Sequence, residues 1–233
     1  MSIYHLPAEH TVELEINGQR RIKLVCTREA LRELAVGWLY NERLIAAPGD
    51  ILSLRINDDE TMIAVTMPEA RLAQAEIVRG SGLGGLSFDT KPELEARPVR
   101  RKYSLDYIRT CAEIMGRRSV KYAETGGMHC SALFDERGML LMYEDIGRHN
   151  TLDKLAGHCL LRGVDASDCL LVTSGRISGD MVKKAGRMGV SVVASLTTPT
   201  DAACALAVDC GMSIVGYLRR ERAEIYTNAE RIV

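Results

Sequence analysis

Three short runs of apolar residues, separated by helical segments, constrain the fold of this chain more than any other feature. The runs are CLLVTS, VSVVASL and MSIVGYL, which begin at Cys169, Val190 and Met212. Each is continuously apolar, as expected for a strand buried on both faces of a sheet. Ser178 and Thr200 can cap the helices between them. A strand–helix–strand–helix–strand order requires crossover connections, so the sequence predicts an α/β fold with a mixed, mostly parallel sheet and helices on both faces.

The first part of the chain has a different pattern. In TVELEING and RRIKLVC, apolar and polar residues alternate on either side of Asn17-Gly18, which predicts a β-hairpin. Thr27 can cap a following helix. The stretch DILSLRINDDETMIAVTM predicts a second hairpin that turns at Asp58-Asp59. Two hairpins and one helix predict a small α+β domain.

Between these two parts the regular patterns disappear. From residue 80 to about 101, a glycine run is followed by Pro92, Pro98 and charged residues, a composition typical of an interdomain connection. Beyond it, Ser104 and Asn150 are expected to cap helices, and a turn at residues 135–138 joins two apolar segments. The sequence therefore predicts a small α+β domain over residues 1–79, a connection over 80–101 and a larger α/β domain over 102–233.

The overall composition is that of a globular protein, with 46% apolar and 26% charged residues. A net charge of -1 gives no general electrostatic reason to bind nucleic acid or an acidic membrane. The apolar runs are much shorter than the roughly 20 residues of a membrane span, and the start, MSIYHLPAEH, lacks the pattern of a signal peptide. We expect a protein that binds neither nucleic acid nor membranes.

The seven cysteines give information about the cellular compartment and about metals. Their number is odd and no two stand in a C-x-x-C arrangement, which argues against a disulfide framework and against a zinc knuckle. Free cysteines are typical of a reducing compartment. We therefore expect a cytoplasmic protein with no metal site.

The run GSGLGG, residues 80–85, contains the G-x-G-x-x-G pattern of dinucleotide-binding loops. Such a loop works when a strand precedes it and a helix follows, because the helix N-terminus binds the pyrophosphate. The residues that follow are LSFDTKP, which have no helical periodicity, and there is no G-K-[ST] of a phosphate-binding P-loop. The run is better interpreted as part of the connection between domains.

Polar residues gather in four segments of the second half, each at a predicted junction between a strand and a loop or helix. In open α/β sheets, ligands bind at the carboxyl ends of the strands. The segments are ETGGMHC, YEDIGRHNTLDK, TSGRISGD and GYLRRERAEIY. The candidate binding residues within the first three are Thr125, Gly126, Gly127, His129, Asp145, Arg148, His149, Ser174 and Arg176.

Arginine is abundant in this set, and its rigid fork of donors suits phosphate or the edge of guanine. The four segments could therefore hold a nucleotide or a phosphorylated cofactor. The alternative for each segment is structural: Asp145 and Arg148 could form local ion pairs, and the arginines could form a solvated face. Occurrence of all four segments at strand ends of one domain favours a binding site.

His129 and Cys130 are neighbours, which raises the question of a catalytic pair or a zinc site. Adjacent residues of a strand point to opposite faces, so the two side chains should not meet. Zinc deaminases require H-x-E and P-C-x-x-C, whereas Ser131 stands two residues after His129 and the chain has no C-x-x-C. Zinc-dependent deamination is excluded, and Cys130 is more typical of a small packed residue than of a nucleophile.

Several segments together resemble the FdhD family of formate dehydrogenase accessory proteins, over nearly the whole chain from about Glu13. The most specific are the TGGMHC and EDIGRHN blocks. The segments are ELEINGQRRIKLVCTREALRELAVGWLYNE, TGGMHCSAL, EDIGRHNTLDKLAG, VTSGRISGDMVKKA and IVGYLRRERAEIYTNAERI.

The resemblance implies a fold and a function. Family members are cytoplasmic homodimers whose larger domain is similar to cytidine deaminase without the zinc. They accept persulfide sulfur from a cysteine desulfurase and pass it to the molybdenum or tungsten bis(molybdopterin guanine dinucleotide) cofactor of the formate dehydrogenase apoenzyme; GDP is the expected mimic of that cofactor. The cofactor-binding stretch of the family matches Tyr217, Leu218, Arg219, Arg220, Glu221 and Arg222.

One departure from the family pattern bears directly on chemistry. Family members have C-G-x-C-G on a mobile loop between the domains, and the first cysteine accepts the sulfur. Here the aligned residues are SGLGG, so that Ser81 replaces the carrier cysteine and Gly84 the second one. A serine cannot form a persulfide because that step requires a thiolate.

The substitution leaves three interpretations open. The protein binds the cofactor without carrying sulfur; or the carrier has moved, with Cys130 as the candidate beside the TGGMHC block; or the loop is engineered or misread. The family usually has a small residue at position 130, which favours packing. A more distant alternative is an unrelated nucleotide enzyme that uses Asp145 and His149 as acid and base.

Overall fold

A computed structural model describes residues 6–69, 77–79, 86–88, 98–218 and 222–233. Within them, the N-terminal unit is a four-stranded sheet in the order β2-β1-β4-β3, packed on helix α1. Its elements are β1 (His10–Ile16), β2 (Arg20–Cys26), α1 (Leu31–Asn41), β3 (Ser53–Ile56) and β4 (Met62–Thr66). Both predicted hairpins are present: β1 pairs with β2 and β3 with β4, all antiparallel, and β1 pairs with β4 in parallel. Asn17 and Gly18 turn the first hairpin with positive φ angles of 53° and 68°.

Two short strands lie where a connection was predicted. β5 (Ile77–Arg79) and β6 (Leu86–Phe88) pair antiparallel with each other. The glycine run at 80–85 lies outside the described residues. The boundaries of the domains therefore remain predictions.

The C-terminal unit is a six-stranded sheet in the order β12-β11-β10-β9-β7-β8. Parallel β9, β10 and β11 form its centre, while β7, β8 and β12 are antiparallel to their neighbours, so the sheet is more mixed than the sequence predicted. The elements are α2 (Leu105–Arg118), α3 (Val120–Thr125), β7 (His129–Asp135), β8 (Gly138–Asp145), α4 (Arg148–Arg162), β9 (Leu170–Thr173), α5 (Gly179–Met188), β10 (Val192–Ser195), α6 (Asp201–Asp209), β11 (Ser213–Gly216) and β12 (Glu224–Thr227).

Helices cover both faces of this sheet, as predicted. Alternate strand residues face opposite ways, so that Leu171 and Val193 pack beneath α4, α5 and α6, while Val172 and Val192 pack on α2. The long apolar runs of β9–β11 follow directly from burial on both faces. Among the described residues, no helix is both long enough and apolar enough to cross a bilayer.

The observed helix starts can be compared with the N-caps that the sequence predicted. Ser104, Ser178 and Thr200 cap α2, α5 and α6, each accepting a hydrogen bond from a backbone N–H three residues later. The predictions for Thr27 and Asn150 were wrong: α1 starts after Ala30 and α4 after Gly147. The physical reason is that both side chains are used in contacts between the N-terminal and C-terminal units.

Helices α1 and α4 join the two units through an unusually close crossing. Gly37 of α1 faces Gly157 of α4, and neither position has room for a side chain. A Cβ atom built on Gly37 would lie 1.7 Å from the carbonyl oxygen of Asp153, and one built on Gly157 would lie 1.9 Å from that of Glu33. The backbones therefore pack directly against each other. Such packing leaves no tolerance for added volume.

Residues 231–233 pair with Tyr103, near the start of the C-terminal unit. The backbone of Tyr103 donates to the carbonyl of Arg231 at 2.9 Å, and Val233 donates to the carbonyl of Tyr103 at 3.0 Å. The Arg231 side chain is buried, and its guanidinium donates to the carbonyl oxygens of Gly211 and Pro98. Tyr103 and residues 231–233 thus pair with each other at the border of the sheet, while residues 98–100 are exposed.

Candidate functional site

The strand registers bring the four polar segments to one end of the six-stranded sheet, which we call the carboxyl edge. It is the end at which β9, β10 and β11 terminate. Thr173, the last residue of β9, pairs with Ser195 on one side and Ser131 on the other. Since β7 and β8 are antiparallel to these strands, His129 and Asp145 pair across the same edge. The start of β12 lies there too.

The centre of the carboxyl edge is formed by Arg148, His129 and Gly175. Arg148 is the first residue of α4, and Gly175 follows β9 directly. A Cβ atom on Gly175 would lie 3.2 Å from Cβ of Arg148 and 3.2 Å from Nδ1 of His129. Glycine at this position therefore lets an arginine and a histidine pack against the loop backbone. No sequence rule for turns predicted this role, because the φ angle of Gly175 is ordinary.

The positive charge at this edge is not neutralised by neighbouring carboxylates. Neither Arg148 nor Arg176 forms an ion pair within the part of the chain that the structure describes. Burial and the charge of Arg176 lower the pKa of Arg148 below its usual value, and only Asp180 opposes this effect. Nε of Arg148 is buried without a hydrogen-bond partner among the described residues. A partly buried Arg148 with an unpartnered Nε, together with the exposed Arg176 whose charge acts on it, is suited to an anionic ligand.

The two histidines add neutral hydrogen-bonding groups to the edge. His149 lies 3.4 Å from the hydroxyl of Ser178, with Nε2 facing Oγ. Burial, followed by the charges of Lys184 and Arg148, lowers the pKa of His149 to about 4. Burial and Arg148 also lower the pKa of His129. Both shifts disfavour the imidazolium form. With a pKa of about 4, His149 is neutral at pH 7.

Other candidate residues have structural partners that occupy their side chains. Oγ of Ser174 accepts a hydrogen bond from the Cys130 backbone at 3.0 Å, and the hydroxyl of Thr125 donates to the carbonyl of Lys121. Gly126 ends α3 with a φ of 65°, and a Cβ atom on Gly127 would meet the ring of Pro7 at 2.8 Å. These residues shape the start of β7 next to His129.

Asp145 lies in the interior and not on the surface of the edge. Its side chain has no exposure, and it is paired with the equally buried Lys154, with Nζ 2.5 Å from Oδ2. Its other hydrogen bonds come from Thr27, Gly147 and Asn150. A carboxylate with this many donors and no exposure has no free lone pair to offer a ligand or a proton. This placement removes the support for an acid–base pair of Asp145 and His149.

The last polar segment follows β11 and reaches the same edge. Tyr217 has a φ of 54°, in the left-handed region, and its backbone donates to the carbonyl of Thr197 at 2.8 Å. The guanidinium of Arg222 lies 4.4 Å from the centre of the Tyr217 ring, and it is also paired with Glu224. Leu218 is buried. Arg219, Arg220 and Glu221 lie outside the described residues, so their predicted role stays a prediction.

No cysteine of the chain is exposed. Six of the seven are buried, and Cys204 is partly buried. Burial raises the pKa of Cys26 and Cys159 to about 12, and that of Cys111 to about 11. Burial is also the main cause of the raised pKa of Cys130, which packs in the core on the α2 face of the sheet. A thiol that must meet a partner enzyme needs the opposite environment.

Alkylation tests this description of the thiols. We expect iodoacetamide at pH 8 to modify Cys204 first in the folded protein, because the other six side chains are buried. Peptide mass spectrometry after a short exposure measures the order of modification, and the same reaction in urea serves as the control in which all seven react. Modification of Cys130 as fast as Cys204 would contradict the buried placement.

Among the described residues, no group of three or more His, Cys, Asp or Glu side chains is placed to hold an ion.

The sequence did not identify Thr27, Lys154 and Asn150 as members of one network with Asp145. The signal was absent because Thr27 and Asp145 are 118 residues apart. Contacts of that separation depend on tertiary structure and not on local pattern.

Comparison with known proteins gives a consistent result over almost the entire chain. A family model described as the FdhD/NarQ family matches residues 7–233. The chain is 36% identical to the sulfur carrier protein FdhD of Shouchella clausii, and the alignment covers 96% of this chain and 88% of that protein. The FdhD protein of Bacillus subtilis is 35% identical with the same coverage.

A solved structure agrees with the fold. The crystal structure of a Desulfotalea psychrophila protein, named as a candidate formate dehydrogenase accessory protein, superposes with a TM-score of 0.79. The match covers 99% of this chain and 92% of that one, at 24% identity. This likeness supports the mixed α/β architecture described above.

Proposed function

The chain belongs to the FdhD/NarQ family, and from this premise we propose that it serves formate dehydrogenase maturation by binding the guanine dinucleotide form of the molybdenum or tungsten cofactor at the carboxyl edge. The cofactor is cargo that is passed to the formate dehydrogenase apoenzyme. We further propose that the protein acts in the cytoplasm as a homodimer, and that its C-terminal unit has the cytidine-deaminase-like fold without zinc. These finer statements rest on the family and on the residues present.

The observation that carries the proposal is the pair Arg148 and Arg176. Both lack an ion-pair partner in the part of the chain described, and Arg148 is the first residue of a fifteen-residue helix whose start no side chain caps. A helix N-terminus favours anions, and guanidinium groups bind phosphate oxygens in a bidentate way. A diphosphate at this position would supply the missing negative charge. Neutral His129 and His149 would offer hydrogen bonds beside it.

The chain lacks the two cysteines of the family pattern that sulfur transfer is expected to require. The relatives from Shouchella clausii and Bacillus subtilis are named sulfur carriers. In this chain Ser81 and Gly84 stand where the family pattern has cysteines, and the seven cysteines present elsewhere are buried or partly buried. We therefore propose that this protein binds the cofactor and does not carry sulfur on a cysteine of its own.

Calorimetric titration with GDP tests cofactor binding. We expect binding by the wild-type protein and a Kd at least about 100-fold higher in the Arg148→Ala/Arg176→Ala double variant, since each lost charge-assisted hydrogen bond weakens binding by about 1.5–3 kcal/mol. The same titration of an Arg219→Ala/Arg220→Ala/Arg222→Ala variant tests the segment after β11. The exposed pair Arg117→Ala/Arg118→Ala is the control and should bind normally. Equal GDP binding by the wild type and the Arg148→Ala/Arg176→Ala variant would refute the site.

A second experiment tests sulfur transfer directly. The protein is incubated with a cysteine desulfurase and cysteine, and intact and peptide masses are measured without reductant. A family member that retains the cysteine pair is the positive control. We expect sulfur on the control and none on this chain. Sulfur on Cys130 that disappears in Cys130→Ala would instead establish a relocated carrier and overturn the proposal of binding alone.

A further inference from the structure

A buried polar network links the N-terminal unit to the first turn of α4. Its charged members are Asp145 and Lys154, whose side chains have no exposure and approach each other to 2.5 Å. The hydroxyl of Thr27, from the N-terminal unit, accepts from Nζ of Lys154 at 2.7 Å and donates to Oδ2 of Asp145 at 3.0 Å. We call Thr27, Asp145, Asn150 and Lys154 the positioning network.

The two oxygens of the Asp145 carboxylate have different partners. Oδ2 accepts from Lys154 and from both the backbone and the hydroxyl of Thr27. Oδ1 accepts from the backbone of Gly147 and the side chain of Asn150, each at 2.8 Å. The carboxylate therefore bridges the N-terminal unit on one side and the start of α4 on the other. Asn150 adds a direct tie, since its side chain also donates to the carbonyl of Val25 at 2.8 Å.

Arg148 and His149, which reach the carboxyl edge, lie between Gly147 and Asn150, the two residues that donate to Oδ1. We propose that Thr27, Asp145 and Asn150 are positioning residues, which use the N-terminal unit to fix the first turn of α4 and thereby the geometry of the anion-binding arginine and histidine. This inference rests on the proposed function for the identity of the ligand. It assigns the N-terminal unit a part in ligand binding although Thr27 itself does not face the ligand.

The alternative is that these residues have a purely structural role. A second polar contact between the same two units allows the two roles to be distinguished. Asp153, on the same helix and equally buried, is paired with Lys184 at 2.6 Å. It also accepts from the side chain of Asn41 in α1 at 2.7 Å. This second network joins the same two units, but the charge of Lys184 helps to lower the pKa of His149 in the first turn of α4. The hydrogen bond from Asn41 to Asp153 can be removed without altering that charge. Loss of that hydrogen bond should weaken the fold without moving Arg148.

The test is GDP titration of full-length variants, together with hydrogen exchange of the backbone amides of residues 148–151 in the absence of ligand. We expect Thr27→Val to raise the Kd for GDP about tenfold and to speed exchange in that turn, and Thr27→Ser, which keeps the hydroxyl, to restore both. The double variant Asp145→Leu/Lys154→Met, which leaves no buried charge unpaired, should have the same effects as Thr27→Val. The control, Asn41→Ala, removes a hydrogen bond between the same two units and keeps the charge of Lys184, and it should bind GDP within about twofold of the wild type.

The outcomes distinguish this inference from the proposed function. If the wild type binds GDP and Thr27→Val matches it in both affinity and exchange, the positioning role is refuted while the proposed site stands. Equal losses of affinity in the control also refute it, because a general loss of stability would then explain the effect. If the wild type does not bind GDP, the proposed ligand is refuted, and faster exchange confined to Thr27→Val and Asp145→Leu/Lys154→Met still supports the positioning role.

Discussion

Replacement of Gly157 by alanine is expected to lower the free energy of unfolding by about 3 kcal/mol or more. The added Cβ would lie 1.9 Å from the carbonyl oxygen of Glu33 and 2.8 Å from the backbone nitrogen of Gly37. Backbone atoms cannot rotate away as a flexible side chain would, so α1 and α4 must separate. Separation uncovers apolar surface on both helices. For a chain of this size, the midpoint of thermal unfolding should fall by about 6–12 °C.

Differential scanning calorimetry measures this effect, and a matched control is available in α2. Gly116 also lies within a helix, but nothing lies within 4 Å of a Cβ atom built there. Gly116→Ala should therefore stabilise the protein by about 0.5–1 kcal/mol through helix propensity alone. A loss of less than 1 kcal/mol in Gly157→Ala would show that the backbones of the two helices are not in direct contact at Gly157.

Replacement of Lys154 by methionine is expected to cost about 3–5 kcal/mol of stability. The substitution leaves the carboxylate of Asp145 buried without its cation, and Thr27, Gly147 and Asn150 offer only neutral donors. Urea denaturation, followed by circular dichroism, measures the change in the free energy of unfolding. Retention of nearly wild-type stability would mean that Asp145 is not buried as a charged group.

The double variant Asp145→Leu/Lys154→Met is the control for this experiment. Replacing both members of a buried ion pair by apolar side chains removes the uncompensated charge, and such replacements are often close to neutral. We expect the double variant to recover most of the stability lost in Lys154→Met. If single and double variants unfold at the same urea concentration, the loss comes from packing and not from charge.

Much of the fold followed from local sequence. The continuous apolar runs of β9, β10 and β11 predicted buried parallel strands, and Ser104, Ser178 and Thr200 predicted helix starts that the structure confirms. These features depend on neighbouring residues, which periodicity and capping rules describe well. The turn predicted at residues 135–138 joins the antiparallel pair β7 and β8. Strand β12 was missed, because it is a four-residue strand with exposed Ile225 and Tyr226.

Residues with long-range partners were the ones that sequence alone misassigned. Thr27 and Asn150 fit the pattern of helix caps, yet their side chains contact residues more than 115 positions away. Asp145 looked like a surface ligand because charged residues are usually exposed, and only the buried Lys154 beside it makes its burial possible. Arg148, His129 and Arg176 were identified from composition and position at strand ends. Their role in binding remains a prediction.

The closure of the sheet border by residues 231–233 has a consequence for folding during synthesis. Tyr103 and Pro98 leave the ribosome long before their partners in that border, Val233 and Arg231, have been made. At about 5–20 residues per second, the delay is on the order of ten seconds. Late in this interval, once β11 (Ser213–Gly216) has been made, the nascent C-terminal unit has its central strands but not its last border contacts. Exposed β-strand surface in such a state is prone to misassociation.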